Sequence, residues 1–165
     1  MKLPYDHLIG PQLLAAIIDL AQWLGIRPEW LLIVMHKESS LNPKAINKHS
    51  GASGLIQFMP GTAKGLGTTV EAIRVMTGLQ QMDWVRKYYA PYRGRMHNLF
   101  DTYFAVFYPA AIGKPVDFVL FAKGCKAYAW NKALDMNHNG VVTVGDVKAW
   151  LMNYLPDDFD PCDCH

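Results

Sequence analysis

Apolar residues recur along most of this chain at helical spacing. Leu13, Ala16, Ile17, Leu20 and Leu24 fall on one stripe, interrupted by Asp19 and Gln22, and predict an amphipathic first helix. A second helix is expected from Pro28, a favoured first-turn residue, to about Ser39, where Asn42-Pro43 stops it. Residues 42 to 56 lose the period and carry Gly51 and Gly54, as a long structured loop would. Helical spacing returns at Thr62 to Gly65, Val70 to Met76 and Leu79 to Tyr89, the last two separated by Thr77-Gly78. Asn98 to Tyr108 reads as an aromatic-rich buried helix ended by Pro109. Val116 to Leu134 reads as a helical stretch broken at Gly124, and Val144 to Leu155 as the last helix. The expected fold is mainly α, with at most a short strand pair between 45 and 57.

The length, 165 residues, suits one domain with a small appended module. A folded chain of this size buries roughly 70% of the surface its unfolded form exposes, enough for a real core. At 51% hydrophobic and 18% charged, the composition excludes a disordered or low-complexity protein. Sixteen basic against fourteen acidic residues leave a net charge of +2. No basic run stands out, so no nucleic-acid partner is expected. No apolar run reaches the 18 or so residues of a membrane span. As a signal peptide the first helix is poor, since only Lys2 precedes it and no small-residue cleavage site follows. Delivery by another route is the expectation. Three cysteines, Cys125, Cys162 and Cys164, make no disulfide scaffold. Cys162-Asp163-Cys164-His165 lies at a chain end and reads as a solvated tail rather than a closed metal site.

Glu38 is the most informative single residue, one of only three glutamates. On a helix, Leu31, Val34 and Met35 lie about 20°, 40° and 60° around from it. Trp30, Leu32 and Ile33 fill much of the remaining surface, so a carboxyl group at the end of this helix is expected to be partly desolvated. Desolvation disfavours the charged form and raises the pKa, and a carboxylic acid still protonated near neutral pH can donate to a leaving glycosidic oxygen. A glutamate at a helix end with its head in water is the plain alternative.

The residues that follow narrow the choice. Glu38-Ser39-Ser40 precedes Asn42-Pro43, and then comes Gly51-Ala52-Ser53-Gly54-Leu55-Ile56-Gln57-Phe58-Met59-Pro60-Gly61-Thr62-Ala63. This pattern resembles the soluble lytic transglycosylase family, whose fold is akin to goose-type lysozyme. Ile56 stands where the family's second motif usually has methionine. A third motif, usually Ala-Tyr-Asn-Ala-Gly, finds its nearest counterpart in Tyr108-Pro109-Ala110-Ala111, with Tyr103 a competing tyrosine on the same helix. Core packing is the alternative role for both tyrosines. The resemblance covers roughly residues 12 to 134 and is similar to forms seen in bacteriophage and prophage genomes. It implies a peptidoglycan-cleaving enzyme in which Glu38 protonates the oxygen between N-acetylmuramic acid and N-acetylglucosamine. The same group then deprotonates the muramic 6-hydroxyl, closing a 1,6-anhydro ring. It further implies that Ser39, Gln57 and Met59, with Tyr103 or Tyr108, support or contact the glycan. The enzyme would act as a monomer on the bacterial wall, in the periplasm or as part of a virion.

Hydrolysis is the competing chemistry and needs a second carboxylate about 5 to 9.5 Å away. Asp83 and Asp101 are the candidates, although Asp101 also suits a helix N-terminus, where it would satisfy free backbone groups. His36 lies roughly 160° from Glu38 on the helix, which argues against a shared site.

A second motif runs from Asp135 to Asp146. Asp135, Asn137 and Asn139 occupy loop positions 1, 3 and 5, Gly140 position 6, Val141 position 7, Thr143 position 9 and Asp146 position 12. This is the spacing of an EF-hand, with aspartate where glutamate is usual, and predicts a structural Ca2+ of modest affinity. As a lone loop it has no sister to pair with. The expected organisation is a lysozyme-like domain over 1–134, an EF-hand-like loop and last helix over 135–155, and a tail over 156–165. A non-catalytic, calcium-dependent binder of cell-wall glycan is the alternative of a different class.

Overall fold

Helices begin where the sequence supplies start signals. Pro11 and Pro28 open the first turns of α1 (Pro11–Leu24) and α2 (Pro28–Ser39), and Pro60 opens α3 (Pro60–Leu66). Thr69 caps α4 (Val70–Val75), and Thr77 with Gln80 forms a reciprocal capping box at the start of α5 (Gly78–Tyr89). The computed structural model describes residues 2–165, which fall into two units, one ending at Gly94 and one from Arg95 to His165.

In the first unit α1 packs on α2 and α5, and α3 on α5. Leu20, Ala21 and Leu24 of α1 meet a helix whose residues Trp30 to Met35 are all buried, as an apolar pattern on every side of α2 requires. The Arg86 and Arg93 guanidinium groups lie 4.0 and 4.6 Å from the Trp23 ring centroid, tying α1 to the end of α5. Between α2 and α3 the chain forms no ladder. Two isolated bridges, Ile46 with Ser53 and Ser53 with Phe58, replace the strand pair allowed for there.

This loop is held by side chains from α4 and α5. Gln81 is fully buried: its Oε1 accepts from Leu55 N (2.9 Å), and its Nε2 donates to Pro43 O (2.7 Å) and Ile73 O (3.0 Å). Arg74 donates to Ser53 Oγ and Gly51 O, and Lys44 Nζ caps the end of α4 through Arg74 O and Met76 O. Gly54 has φ +85°, and a Cβ there would lie 2.6 Å from Gln81 Oε1 and 2.8 Å from Ile73 Cγ2. Glycine is therefore required for the close approach as well as for the left-handed backbone.

The second unit starts with α6 (Leu99–Phe107), capped by Asn98 and ended at Pro109 as expected. Its remaining elements are β1 (Val119–Ala122), α7 (Lys126–Trp130), β2 (Val141–Thr143) and α8 (Val144–Met152). The broken helix expected over 116–134 is corrected here. Val119–Ala122 is a strand, antiparallel to β2, with Val119 opposite Thr143 and Ala122 opposite Val141 across an irregularity at Leu120. A short apolar run has no period that separates strand from helix, and its partner lies some twenty residues further on. The 135–146 loop has no sister loop among the described residues, and a plain strand is its pairing partner. Its β2 segment meets β1, and Lys123 N donates to Gly140 O at 2.7 Å. The chain end is not simply solvated either. Phe159 and Cys164 are buried, with Cys164 Sγ 3.9 Å from Met152 Sδ, while Cys162 is exposed.

Replacing Gln81 by alanine strands three backbone groups in an interior position. At roughly 1–3 kcal/mol for each buried group left unpaired, partly relieved by relaxation, Gln81→Ala is expected to lower unfolding stability by about 3–5 kcal/mol. Urea denaturation of both proteins at neutral pH checks this, and a difference below about 1 kcal/mol would contradict it.

Candidate active site

Glu38 stands one residue before the end of α2, where the chain leaves the helix through two consecutive left-handed residues, Ser40 (φ 54°) and Leu41 (φ 59°). Ser40 N donates to His36 O at 2.7 Å, and Leu41 N reaches Met35 O at 3.4 Å, so these two carbonyls of the last turn are satisfied. Two non-glycine residues in this region store backbone strain directly after the glutamate. Burial raises the Glu38 pKa, and the neighbouring Lys37 ammonium only partly offsets it. Desolvation thus outweighs charge attraction, and the protonated carboxyl persists above the ordinary glutamate range.

Two tyrosines at the end of α5 share this environment. Tyr88 and Tyr89 are pushed above the ordinary tyrosine pKa first by burial, then by neighbouring tyrosines and the Glu38 charge. The Tyr88 ring stands edge-on to Phe58 at 6.2 Å and to Tyr89 at 5.6 Å. Neither tyrosine was marked by the sequence motifs. The available signal was the density of Tyr88, Tyr89 and Tyr92 on and just past a helix whose apolar face also holds Gln81.

The glycine-containing loop brings Gln57 and Phe58 to the same unit as Glu38. The Ser39 hydroxyl lies 3.0 Å from Met35 O and 2.9 Å from Leu55 O, so its one proton is shared between the helix and the loop. Ser39 is buried and holds the loop to the glutamate's helix. Gln57 is half-buried with φ 56°, and its Nε2 donates to Gly54 O (3.0 Å) and Ala45 O (3.2 Å). Its Oε1 has no donor among the described residues. Met59 is exposed at the start of α3.

His36 stacks on Tyr5 at 3.7 Å, with its pKa lowered by burial and then by His7. Asp83 is exposed on α5. Asp101 is buried in the second unit: its Oδ2 accepts from His97 N and its Oδ1 from Gly113 N, so both oxygens serve the backbone. Tyr103 is buried in that unit, stacked on Phe107 at 5.4 Å and 6.0 Å from Trp150. Tyr108 is half-buried and meets Phe121 edge-on at 5.5 Å.

In the 135–146 loop the side chains at positions 1, 3 and 5 turn onto the loop's own backbone. Asp135 accepts from Asn139 N and Gly140 N, Asn137 Oδ1 from Asn139 N, and Asn139 Oδ1 from Val141 N. The Tyr128 hydroxyl donates to Asp135 at 2.6 Å and, with these N–H groups, keeps its pKa below the ordinary range. Asp146 Oδ2 accepts from Thr143 N and Oγ1. No group of three or more His, Cys, Asp or Glu able to hold a metal occurs among the described residues. The donors of this loop are chiefly amide and carbonyl oxygens.

Residues 15–89 match the family model of the transglycosylase SLT domain. The match spans Glu38, Ser39, Gln57, Met59 and the Tyr88–Tyr89 pair, and ends before Tyr103, Tyr108 and the 135–146 loop. At the level of the family it supports peptidoglycan lytic transglycosylase activity. No curated protein matches the chain.

The raised pKa of Glu38 has a consequence for stability. A carboxyl group whose folded pKa exceeds its unfolded value contributes stability in full below the unfolded pKa and loses it as pH rises through the folded pKa. Glu38→Gln removes this pH-dependent loss. Its melting temperature relative to wild type is expected to increase from pH 4 to pH 7. A difference that is flat or falls over that range, measured by calorimetry, would contradict a desolvated Glu38.

Proposed function

We propose that this protein is a peptidoglycan lytic transglycosylase in which Glu38 is both acid and base. The observation that carries the reading is the half-buried carboxyl at the end of α2, its pKa raised by desolvation, within the span that matches the family model. The protonated Glu38 donates its proton to the glycosidic oxygen between N-acetylmuramic acid and N-acetylglucosamine as the C1–O bond breaks. The carboxylate then takes the proton of the muramic 6-hydroxyl while that oxygen bonds to C1, giving the 1,6-anhydro product. The attacking oxygen belongs to the substrate, so no second carboxylate has to activate water. That agrees with an Asp101 whose oxygens accept backbone N–H groups and an Asp83 in solvent. Gln57 offers its free Oε1 to an amide or hydroxyl of the amino sugar, and Met59 an apolar surface beside it. Ser39 positions the loop through Leu55, and Tyr108 is the half-exposed tyrosine of the third motif.

The wall of a bacterium is the site of action, and the Tyr108-Pro109-Ala110-Ala111 form of the third motif favours a bacteriophage-type enzyme, free or carried by the virion. We also assign the 135–146 loop to calcium. The support is the spacing of Asp135, Asn137, Asn139, Val141, Thr143 and Asp146, and an Asp146 Oδ1 with no donor among the described residues. The ion would be structural, tying α8 to the β1–β2 pair.

Glu38→Gln is expected to retain the fold and lose about 10²–10⁴-fold in turnover, the usual scale for general acid–base catalysis. Mass spectrometry of digested peptidoglycan reads the chemistry directly. Anhydro ends from the wild type support transglycosylation, whereas reducing muramic ends would replace it with hydrolysis. A variant keeping more than half of the wild-type turnover would remove Glu38 from its role.

Calcium bound only to the folded state stabilises by mass action, about 2.7 kcal/mol when free ion is 100 times its dissociation constant. Chelation is therefore expected to lower the melting temperature, and Asp135→Ala to abolish the response to added calcium. Superimposable wild-type melts with calcium and with chelator, and no ion bound by titration calorimetry, would make the loop a turn only.

A further inference from the structure

A concave feature of the second unit lies outside the Glu38 chemistry, and the loop assigned above to calcium forms one of its walls. It is a cleft of about 740 Å³ lined by the β1–α7 turn, α7 and the 135–146 loop. Three lysines border it, Lys123, Lys126 and Lys132, together with His138. All three lysines are exposed, and none has an anionic partner among the described residues. The nearest buried carboxylate on the loop, Asp135, is turned onto the Tyr128 hydroxyl and the Asn139 and Gly140 N–H groups. Its charge offsets part of the positive charge on the loop side and leaves the three lysines in excess. Backbone pairing holds the walls: Lys123 N donates to Gly140 O, and Gly140, at φ +87°, lies close enough that a Cβ would meet the Lys123 side chain at 3.6 Å.

Three uncompensated ammonium groups around one concavity repel each other and focus a positive potential into it. A bound anion relieves that repulsion beyond what water and salt already screen. The cleft is within the roughly 300–1,000 Å³ of ordinary small-ligand sites, so it suits a bounded group rather than a long polyanion, which would need a basic stripe. Beside Lys126, one helical turn on, Trp130 is 84% exposed, an apolar ring available to the sugar or aliphatic part of the same ligand.

We propose that this cleft binds the free carboxylates of peptidoglycan peptide stems and so holds the polymer at a second place on the enzyme. The proposal rests on peptidoglycan being the substrate, and names the part of it that the second unit recognises. Lys123, Lys126 and Lys132 supply the charge, and Trp130 the apolar contact.

The test uses the full chain carrying Glu38→Gln, so that retention is read without turnover. The probe is insoluble peptidoglycan stripped of secondary wall polymers, bound in a co-sedimentation titration. Adding Lys123→Gln, Lys126→Gln and Lys132→Gln is expected to weaken binding roughly tenfold, the scale of three part-exposed ion pairs. Carbodiimide amidation of the stem carboxylates should weaken the parent by a similar factor and leave the triple variant unchanged. The triple lysine-to-arginine variant should bind like the parent, which separates lost charge from lost fold. Unchanged binding by the glutamine variant would overturn the proposal, as would an amidation effect equally large in that variant. So would binding that appears only when phosphodiester wall polymers are left on. Digestion products of the wild type are read separately. Their absence would refute the catalytic reading, while a flat sedimentation series with normal products would refute the cleft alone.

Discussion

One buried amide holds the loop between α2 and α3 in place. Gln81 lies on the apolar face of α5, yet its side chain satisfies the Leu55 N–H and the carbonyls of Pro43 and Ile73. A loop without a ladder leaves backbone donors and acceptors that need partners once they are buried. Gln81 answers three of them with one planar group, and Gly54 leaves the space for it to do so. Arg74 and Lys44 complete the network from the rim. The Ser39 hydroxyl, linked to Leu55 O, then fixes the end of α2 against the loop whose neighbouring N–H Gln81 holds.

The electrostatics of Glu38 follow from that construction. Its helix is apolar on every side, and the chain turns away through Ser40 and Leu41 immediately after it. Burial then dominates over Lys37. Tyr88 and Tyr89 share the desolvated region and respond to the same charge. A carboxyl group tuned chiefly by burial can gain and lose a proton in successive steps, as a single acid–base residue must.

The second unit is organised by backbone pairing. The antiparallel contact of β1 with β2 joins the 135–146 loop to a segment that carries none of its ligand pattern. The same contact shapes the lysine-bordered cleft, because Lys123 follows β1 directly and Gly140 precedes β2. Asp101 and the aromatic cluster of Tyr103, Phe107 and Trp150 serve the packing of this unit.

Local signals were enough for the helices of the first unit. Pro28 at the start of α2, Pro60 at the start of α3, the Thr77-Gly78 break and the apolar periods place them within about two residues. The motif from Glu38 to Ala63 was equally legible, because its chemistry depends on residues close together in the chain. What sequence could not supply were contacts between distant positions. The apolar run at β1 has no helical or strand period of its own, and only its partner at 141–143 decides it. Gln81 looks like any helix glutamine until the loop around Gly54 closes on it. Lys123, Lys126 and Lys132 form no basic run and become a cluster only around a cleft that folding creates. Periodicity and capping are written into neighbouring residues, whereas burial, strand pairing and shared charge exist only once the chain has brought remote residues together.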